Sequence, residues 1–255
     1  MTKQAFVLSL ALMLMSTTLV PAQEIPAGTV LPLMCNTTLD SATSRRGQKI
    51  AAKLMQSVPL SSKESIPTGA RVDGEVVDVE QPSGGGTARI VIRFDRVVAA
   101  GKEFRIDAGL RALASMQDVF EAQLPVGTFD DYGTSPSDWT TVQIGGAAVY
   151  HGDGTIRRAM EIIGHTPELG TAVGNLQPDV ARGCPPQPDF DARQQALWLF
   201  SPWACGVYGF DDLSVVRRPQ GAGLEGAIEL SSPSRFKIRA GSGWLLQVVT
   251  VPPQK

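Results

Sequence analysis

From Ile25 to Ala108 apolar and polar residues alternate with a period of two, in short runs broken by Gly and Pro, which predicts half-buried antiparallel strands. The clearest run is Arg89 to Val97, with Ile90, Ile92 and Phe94 on one face and Arg89, Arg93 and Asp95 on the other. Arg71 to Val79 has the same form: Val72, Gly74 and Val76 point inward, and Arg71, Asp73 and Glu75 outward. The two charged rows are placed to pair across a hairpin whose connection, Gln81 to Thr87, contains three consecutive glycines. After the turn Ala99-Ala100-Gly101-Lys102, Phe104, Ile106 and Ala108 alternate with Arg105 and Asp107 as a third strand of the meander. Ile25-Pro26-Ala27-Gly28-Thr29-Val30 and Ile66-Pro67-Thr68-Gly69-Ala70-Arg71-Val72 echo each other, and each reads as a turn feeding a strand.

The period changes after Ala108. Leu110, Leu113, Met116 and Phe120 recur every three to four residues and predict a short helix, and Pro125 to Trp139 predicts a loop. Further on, Gly145-Gly146, Gly152-Asp153-Gly154 and Gly221-Ala222-Gly223 mark turns, and Thr155 to Ile163 predicts one or two helical turns. Alternation returns where Phe236 and Ile238 face Trp244, Leu246 and Val248 across Ala240-Gly241-Ser242-Gly243, a predicted terminal hairpin. The expected fold is mostly β: an antiparallel β-barrel or sandwich with short helices and long loops. Residues 23–112 form its barrel region, 113–139 a helix-and-loop linker, and 140–255 a β-rich region that either completes the same barrel or makes a second domain.

Charge and composition narrow the partners. A net charge of −2 over 255 residues, with Lys and Arg never in a long run, offers little to nucleic acid. The N-terminus carries Lys3, an apolar stretch from Ala5 to Met15 and small residues at Val20 and Ala22, the pattern of a secretory signal peptide over residues 1–22. Ser16-Thr17-Thr18 and Pro21 interrupt it short of a membrane span, so no transmembrane segment is expected after signal removal. Export permits disulfides, and Cys184 with Cys205 is the expected bridge, closing a loop worth about 3 kcal/mol. Cys35 is then the odd thiol, read as buried on a strand.

Candidate chemistry is sparse. The two histidines, His151 and His165, fall near no nucleophile elbow and in no local zinc-ligand spacing, and read as solvated loop residues. Asp130-Asp131 and Asp211-Asp212 lack the alternating pattern of a calcium hand. No catalytic residue, cofactor or metal is assigned. Tyr132, Trp139 and Trp203, aromatics in loops with acids nearby, are the candidate ligand contacts, and a glycan is the ligand class they suit.

Ile25-Pro26-Ala27-Gly28-Thr29-Val30, Leu39-Asp40-Ser41, Ile66-Pro67-Thr68-Gly69-Ala70-Arg71-Val72-Asp73-Gly74 and Ile90-Val91-Ile92-Arg93-Phe94 together resemble the C-terminal β-barrel of TrbI-like scaffold proteins of type IV secretion and conjugation machinery, over about residues 25–108. The resemblance implies an envelope-facing barrel that works through protein contacts and does no catalysis. The family's inner-membrane helix and Pro-rich spacer are replaced here by the signal sequence, and the second half has no counterpart in the resemblance. The expected role is an exported cell-envelope structural or protein-interaction module, periplasmic or extracellular and including an outer-membrane-associated position. Its partners would be envelope proteins or further copies of the chain. The alternative is a glycan-binding or carbohydrate-active extracytoplasmic protein.

Overall fold

A computed structural model of the chain describes residues 25–61, 63–81, 86–122, 141–145, 148–151, 155–158, 161–165, 176, 184, 198–200, 204–216 and 226–249. They form β1 (Val30–Cys35), β2 (Leu39–Asp40), β3 (Lys49–Leu54), β4 (Val58–Pro59), β5 (Ser65–Ile66), β6 (Arg71–Glu80), β7 (Ala88–Ala99), β8 (Lys102–Arg105), β9 (Ala108–Ala114) and one helix, α1 (Met116–Ala122). The second half adds β10 (Thr141–Gly145), β11 (Ala148–His151), β12 (Thr155–Arg158), β13 (Glu161–His165), β14 (Gly206–Tyr208), β15 (Ser214–Val216), β16 (Ala227–Ser232), β17 (Lys237–Ile238) and β18 (Gly243–Val248). The protein is therefore mostly β. Its main sheet runs β14-β9-β18-β1-β3-β6-β7-β16-β15, with β8 also on β7. The strand ladder is open, so there is no closed barrel. The sheet rolls instead, because its two end strands, β14 and β15, are joined through only Gly209–Leu213.

Four strands are entered through the same turn. Gly28, Gly47, Gly69 and Gly241 all have φ between 80° and 93°. In each case the residue after the glycine donates its N–H to the carbonyl of the residue two before the glycine: Thr29 to Pro26, Gln48 to Arg45, Ala70 to Pro67 and Ser242 to Arg239. That is a type II turn, whose third position calls for glycine. Each of these glycines then donates its own N–H to a neighbouring strand: Gly28 to Val248, Gly47 to Val76, Gly69 to Leu54 and Gly241 to Cys35. The pattern has a pseudo-two-fold axis between β1 and β3. Under it β1 and β18 match β3 and β6, and the short pair β2·β17 matches β4·β5. The axis extends one strand further on each side. β18 meets β9 with a bulge between Leu245 and Leu246, and β6 meets β7 with a bulge between Asp73 and Gly74. The extra residues of the two bulges are Arg111 and Asp95, so these occupy equivalent positions.

The interior of the roll holds Leu31, Leu33, Ile50, Leu54, Val72, Ile90, Ile92, Phe94, Leu110 and Trp244, with Phe94 edge-to-face on Trp244 at 5.7 Å between ring centroids. The inward rows expected for β6 and β7 are the buried ones. Three other expectations are corrected. Leu110 and Leu113 lie on β9 and not on a helix, which begins only at Met116. The bulge at Arg111 inserts a residue, so Leu110 and Leu113 both face the interior three apart, and a strand with a bulge mimics helical spacing. The terminal hairpin is absent as well: β17 pairs β2, and β18 slots between β1 and β9. The Gly241 turn directs the chain across to Cys35 and keeps β17 and β18 from folding back on each other. Finally, Thr155 to Ile163 is the strand pair β12 and β13 within a separate meander, β10-β11-β12-β13, because Thr155, Ile156, Ile162 and Ile163 are β-branched and take up ladder pairing. The predicted loop Pro125 to Trp139 lies outside the described residues.

Candidate interaction surface

The pseudo-two-fold gives the roll two equivalent outer faces, and the sequence treats them differently. On the half built from β1, β18 and β9, the outward residues are Val30, Leu245, Ala112 and Ala114, which sit in a second buried cluster beneath Val119, Ala122, Trp198, Leu199, Phe200, Ala204 and Tyr208. On the half built from β3, β6 and β7, the outward residues are Lys49, Arg71, Asp73, Glu75, Asp95 and Arg96. Among the described residues, one half is covered by the chain itself and the other is not.

The covering layer is fixed at several points. Ser115 caps α1, accepting from the N–H of Asp118 at 3.1 Å, and its own N–H donates to the Tyr208 carbonyl at 3.0 Å. Gly209 lies against this cap, where a Cβ would collide with the Asp118 carboxylate and the Ser115 hydroxyl. β14 lies parallel on β9, with Val207 opposite Leu113. Arg111, only 2% exposed, reaches the Ala204 carbonyl through Nη2 at 3.5 Å. Gln56 Oε1 accepts from the Trp198 N–H at 2.6 Å, steadying a tryptophan whose φ is 40°. The expected bridge is formed: Cys184 and Cys205 are disulfide-bonded, with Cα atoms 5.3 Å apart, and Cys205 sits one residue from β14. The bridge therefore ties Cys184 to the cover. Cys35 is buried in the interior, and burial pushes its thiol up to about 11.

The open face carries a lattice of ion pairs. Lys49 Nζ meets Glu75 Oε2 at 2.9 Å, and Asp73 Oδ2 is shared by Arg71 at 3.1 Å and Arg96 at 3.0 Å. Arg96 also reaches Glu103 at 3.5 Å. Arg89 is held between Asp78 at 2.9 Å and Glu229 at 2.8 Å, joining β6, β7 and β16. Charged side chains do pair across β6 and β7, but through Arg96 with Asp73 and Arg89 with Asp78, so one partner of each pair lies outside the predicted rows, and β3, β8 and β16 supply further partners. Asp95 is exposed at its bulge, and the partial loss of water where it lies along the sheet holds its carboxyl above the ordinary value, opposed by Arg96 and Lys49 and reinforced by Glu75 and Asp73. Asp95 and Arg111, equivalent by symmetry, thus mark the contrast between the faces: one bulge is in solvent and the other is under the cover.

Tyr132, Trp139 and Trp203 lie outside the described residues, as do Asp130 and Asp131. Asp211 and Asp212 are exposed in the turn between β14 and β15. The histidine expectation is corrected: His151 and His165 are the last residues of β11 and β13, strand positions and not loop ones. Arg111 and Gln56 escaped the sequence reading. A lone Arg in Leu-Arg-Ala carries no local sign of burial, and only the bulge and the cover place it inside. No family model matches the chain, and neither a curated protein nor a solved structure matches it. Among the described residues, no helix is long and apolar enough to cross a membrane, which says nothing of crossing by strands.

Proposed function

We propose that the protein is an exported structural or interaction module of the cell envelope, acting through contacts of its rolled sheet and not through catalysis. The observation that carries this reading is the division of two equivalent faces, one closed by the chain's own cover and one that, among the described residues, carries no cover but interlocked charges of both signs. Such a face suits a protein surface of complementary pattern, since fixed charges select a partner and its register. It suits phosphate backbones poorly, because cations and anions alternate across it. The Cys184–Cys205 bridge supports an oxidising compartment, in keeping with the signal-like N-terminus. The motifs shared with TrbI-like barrels, including the Ile-Pro-x-Gly turns at Gly28 and Gly69, support an envelope role among scaffold proteins.

Gentle extraction of native envelopes, followed by size separation and detection of the chain, tests the reading. Migration in an assembly far above 27.1 kDa, shifted downward by Arg96→Glu, is the expected outcome. A chain that runs alone with both sequences removes the scaffold reading. Retention on polysaccharide fractions that is lost in Trp139→Ala would favour the glycan alternative.

A further inference from the structure

On the half of the roll that has no cover among the described residues, the outward charges are sorted strand by strand. β3 presents Lys49 and Lys53. β6 presents Asp73, Glu75, Asp78 and Glu80, with Arg71 the exception at its start. β7 presents Arg89, Arg93 and Arg96, and β16 presents Glu229. Across β3, β6, β7 and β16 the stripes therefore run positive, negative, positive, negative. Such a pattern is antisymmetric about the line between β6 and β7. A half-turn about that line, parallel to the strands, lays each stripe of one copy on a stripe of opposite sign in another.

The complementarity holds row by row, because residues directly opposite in a ladder share a face. Glu75 is opposite Arg93, Asp73 opposite Arg96 and Glu80 opposite Arg89, so the half-turn sets each carboxylate over the partner's guanidinium from the same row. Lys53, Arg71, Val98 and Glu103 are successive neighbours across β3, β6, β7 and β8. Lys53 thus falls over the partner's Glu103, and Arg71 over the partner's Val98. In the row of Glu75, Lys49 falls over the partner's Ala227. None of these rows sets like charge over like, and Asp95, the extra residue of its bulge, belongs to no row and has Arg96 beside it. A half-turn about the other in-plane line, across the strands, returns every strand to itself and stacks the carboxylates of β6 on one another. Charge therefore selects one of the two face-to-face arrangements.

We propose that two copies of the chain associate through this face, β6 over β7 and β7 over β6, about a two-fold axis parallel to the strands. The contact is isologous, and its near-parallel strands are those of aligned sheet packing. Four strands at about 4.8 Å spacing and about ten residues at 3.3 Å cover about 600 Å² per copy, or about 1,200 Å² in all, the lower end for a specific interface. The pair is accordingly weak and sensitive to salt. The proposal rests on the reading of this face as a protein-interaction surface and names a second copy as its partner.

Sedimentation equilibrium of the purified full chain tests it. A monomer–dimer equilibrium is expected, with the dissociation constant rising about tenfold or more between about 0.01 M and 1 M NaCl, as the screening length falls from about 30 Å to about 3 Å. Glu75→Arg sets two arginines face to face at two symmetry-related places, and Arg93→Glu does the same with glutamates, so each variant alone should dimerise at least about tenfold more weakly. An equimolar mixture of the two variants should associate again, because every contact of the mixed pair is then between opposite charges. A misfolded variant would not regain association on mixing, and the salt series on the parent chain needs no variant. A parent chain that stays monomeric at low salt overturns the proposal, as does a dimer indifferent to salt or a mixture no tighter than its components. In each of those cases a native assembly containing other envelope proteins would still uphold the envelope reading, so the two fail separately.

Discussion

Gly74 lies on the interior side of β6 at the bulge against β7, under the ring of Phe94. A Cβ built there falls well under 3.0 Å from the Arg93 carbonyl oxygen, and at 3.0 Å and 3.1 Å from Cδ1 and Cα of Phe94. Neither neighbour can yield easily. Arg93 is paired with Glu75 on one side and with Ala227 on the other, so shifting its carbonyl disturbs two ladders, while Phe94 is buried against Trp244. Gly74→Ala should therefore cost about 3 kcal/mol, the upper end of overpacking. In a domain of this size that is about 6–12 °C in melting temperature. Gly69→Ala provides the contrast: its φ is 83° but nothing lies within 4 Å of the new Cβ, so only the left-handed backbone costs, about 1 kcal/mol. Thermal unfolding of the parent and both variants, followed by circular dichroism, measures the difference. A Gly74→Ala protein that melts at or above the Gly69→Ala protein refutes the claim that β6 and β7 meet at this glycine without room for a methyl group.

Other expectations follow from the same structure. Ala100 and Gly101 close the β7–β8 hairpin with φ of 49° and 76°, and Ala100→Asn places there a residue that tolerates this backbone, so it should gain about 1 kcal/mol in urea unfolding; a loss would contradict the turn geometry. Replacing Cys184 and Cys205 by Ser should lower stability by about 3 kcal/mol, the chain entropy of a loop of 21 residues, and a change below about 1 kcal/mol would mean that the bridge constrains little. In the unreduced native chain at pH 8, alkylation followed by mass measurement should find no labelled thiol. Denaturation without reductant should then add one label, at Cys35, whose burial and raised value keep it protonated and shielded in the fold.

Much of the roll was legible because a half-buried strand shows its faces in a period of two. Val72 and Val76 against Arg71, Asp73 and Glu75 require only local geometry to sort inside from outside, and the structure sorts them that way. Prolines and glycines likewise fixed the turns at Gly28 and Gly69, and a disulfide between Cys184 and Cys205 follows from cysteine count and compartment. Partnership was not legible. Trp244 and Ile238 read correctly as apolar strand residues, yet they pair with Leu33, Leu113 and Leu39, far away in the chain, because ladder hydrogen bonds carry no sequence code. Bulges defeat periodicity, as Leu110 and Leu113 show. Whether an apolar row faces solvent or a cover depends on which distant segment arrives, and Phe200 and Tyr208 arrive over Leu245. Residue order thus determined which side of each strand avoids water and where the chain turns. Tertiary structure alone decided that two matching faces differ in cover and that Arg111 is buried while its equivalent Asp95 is not. Burial and register are set by contacts between residues remote in sequence, which no local pattern encodes.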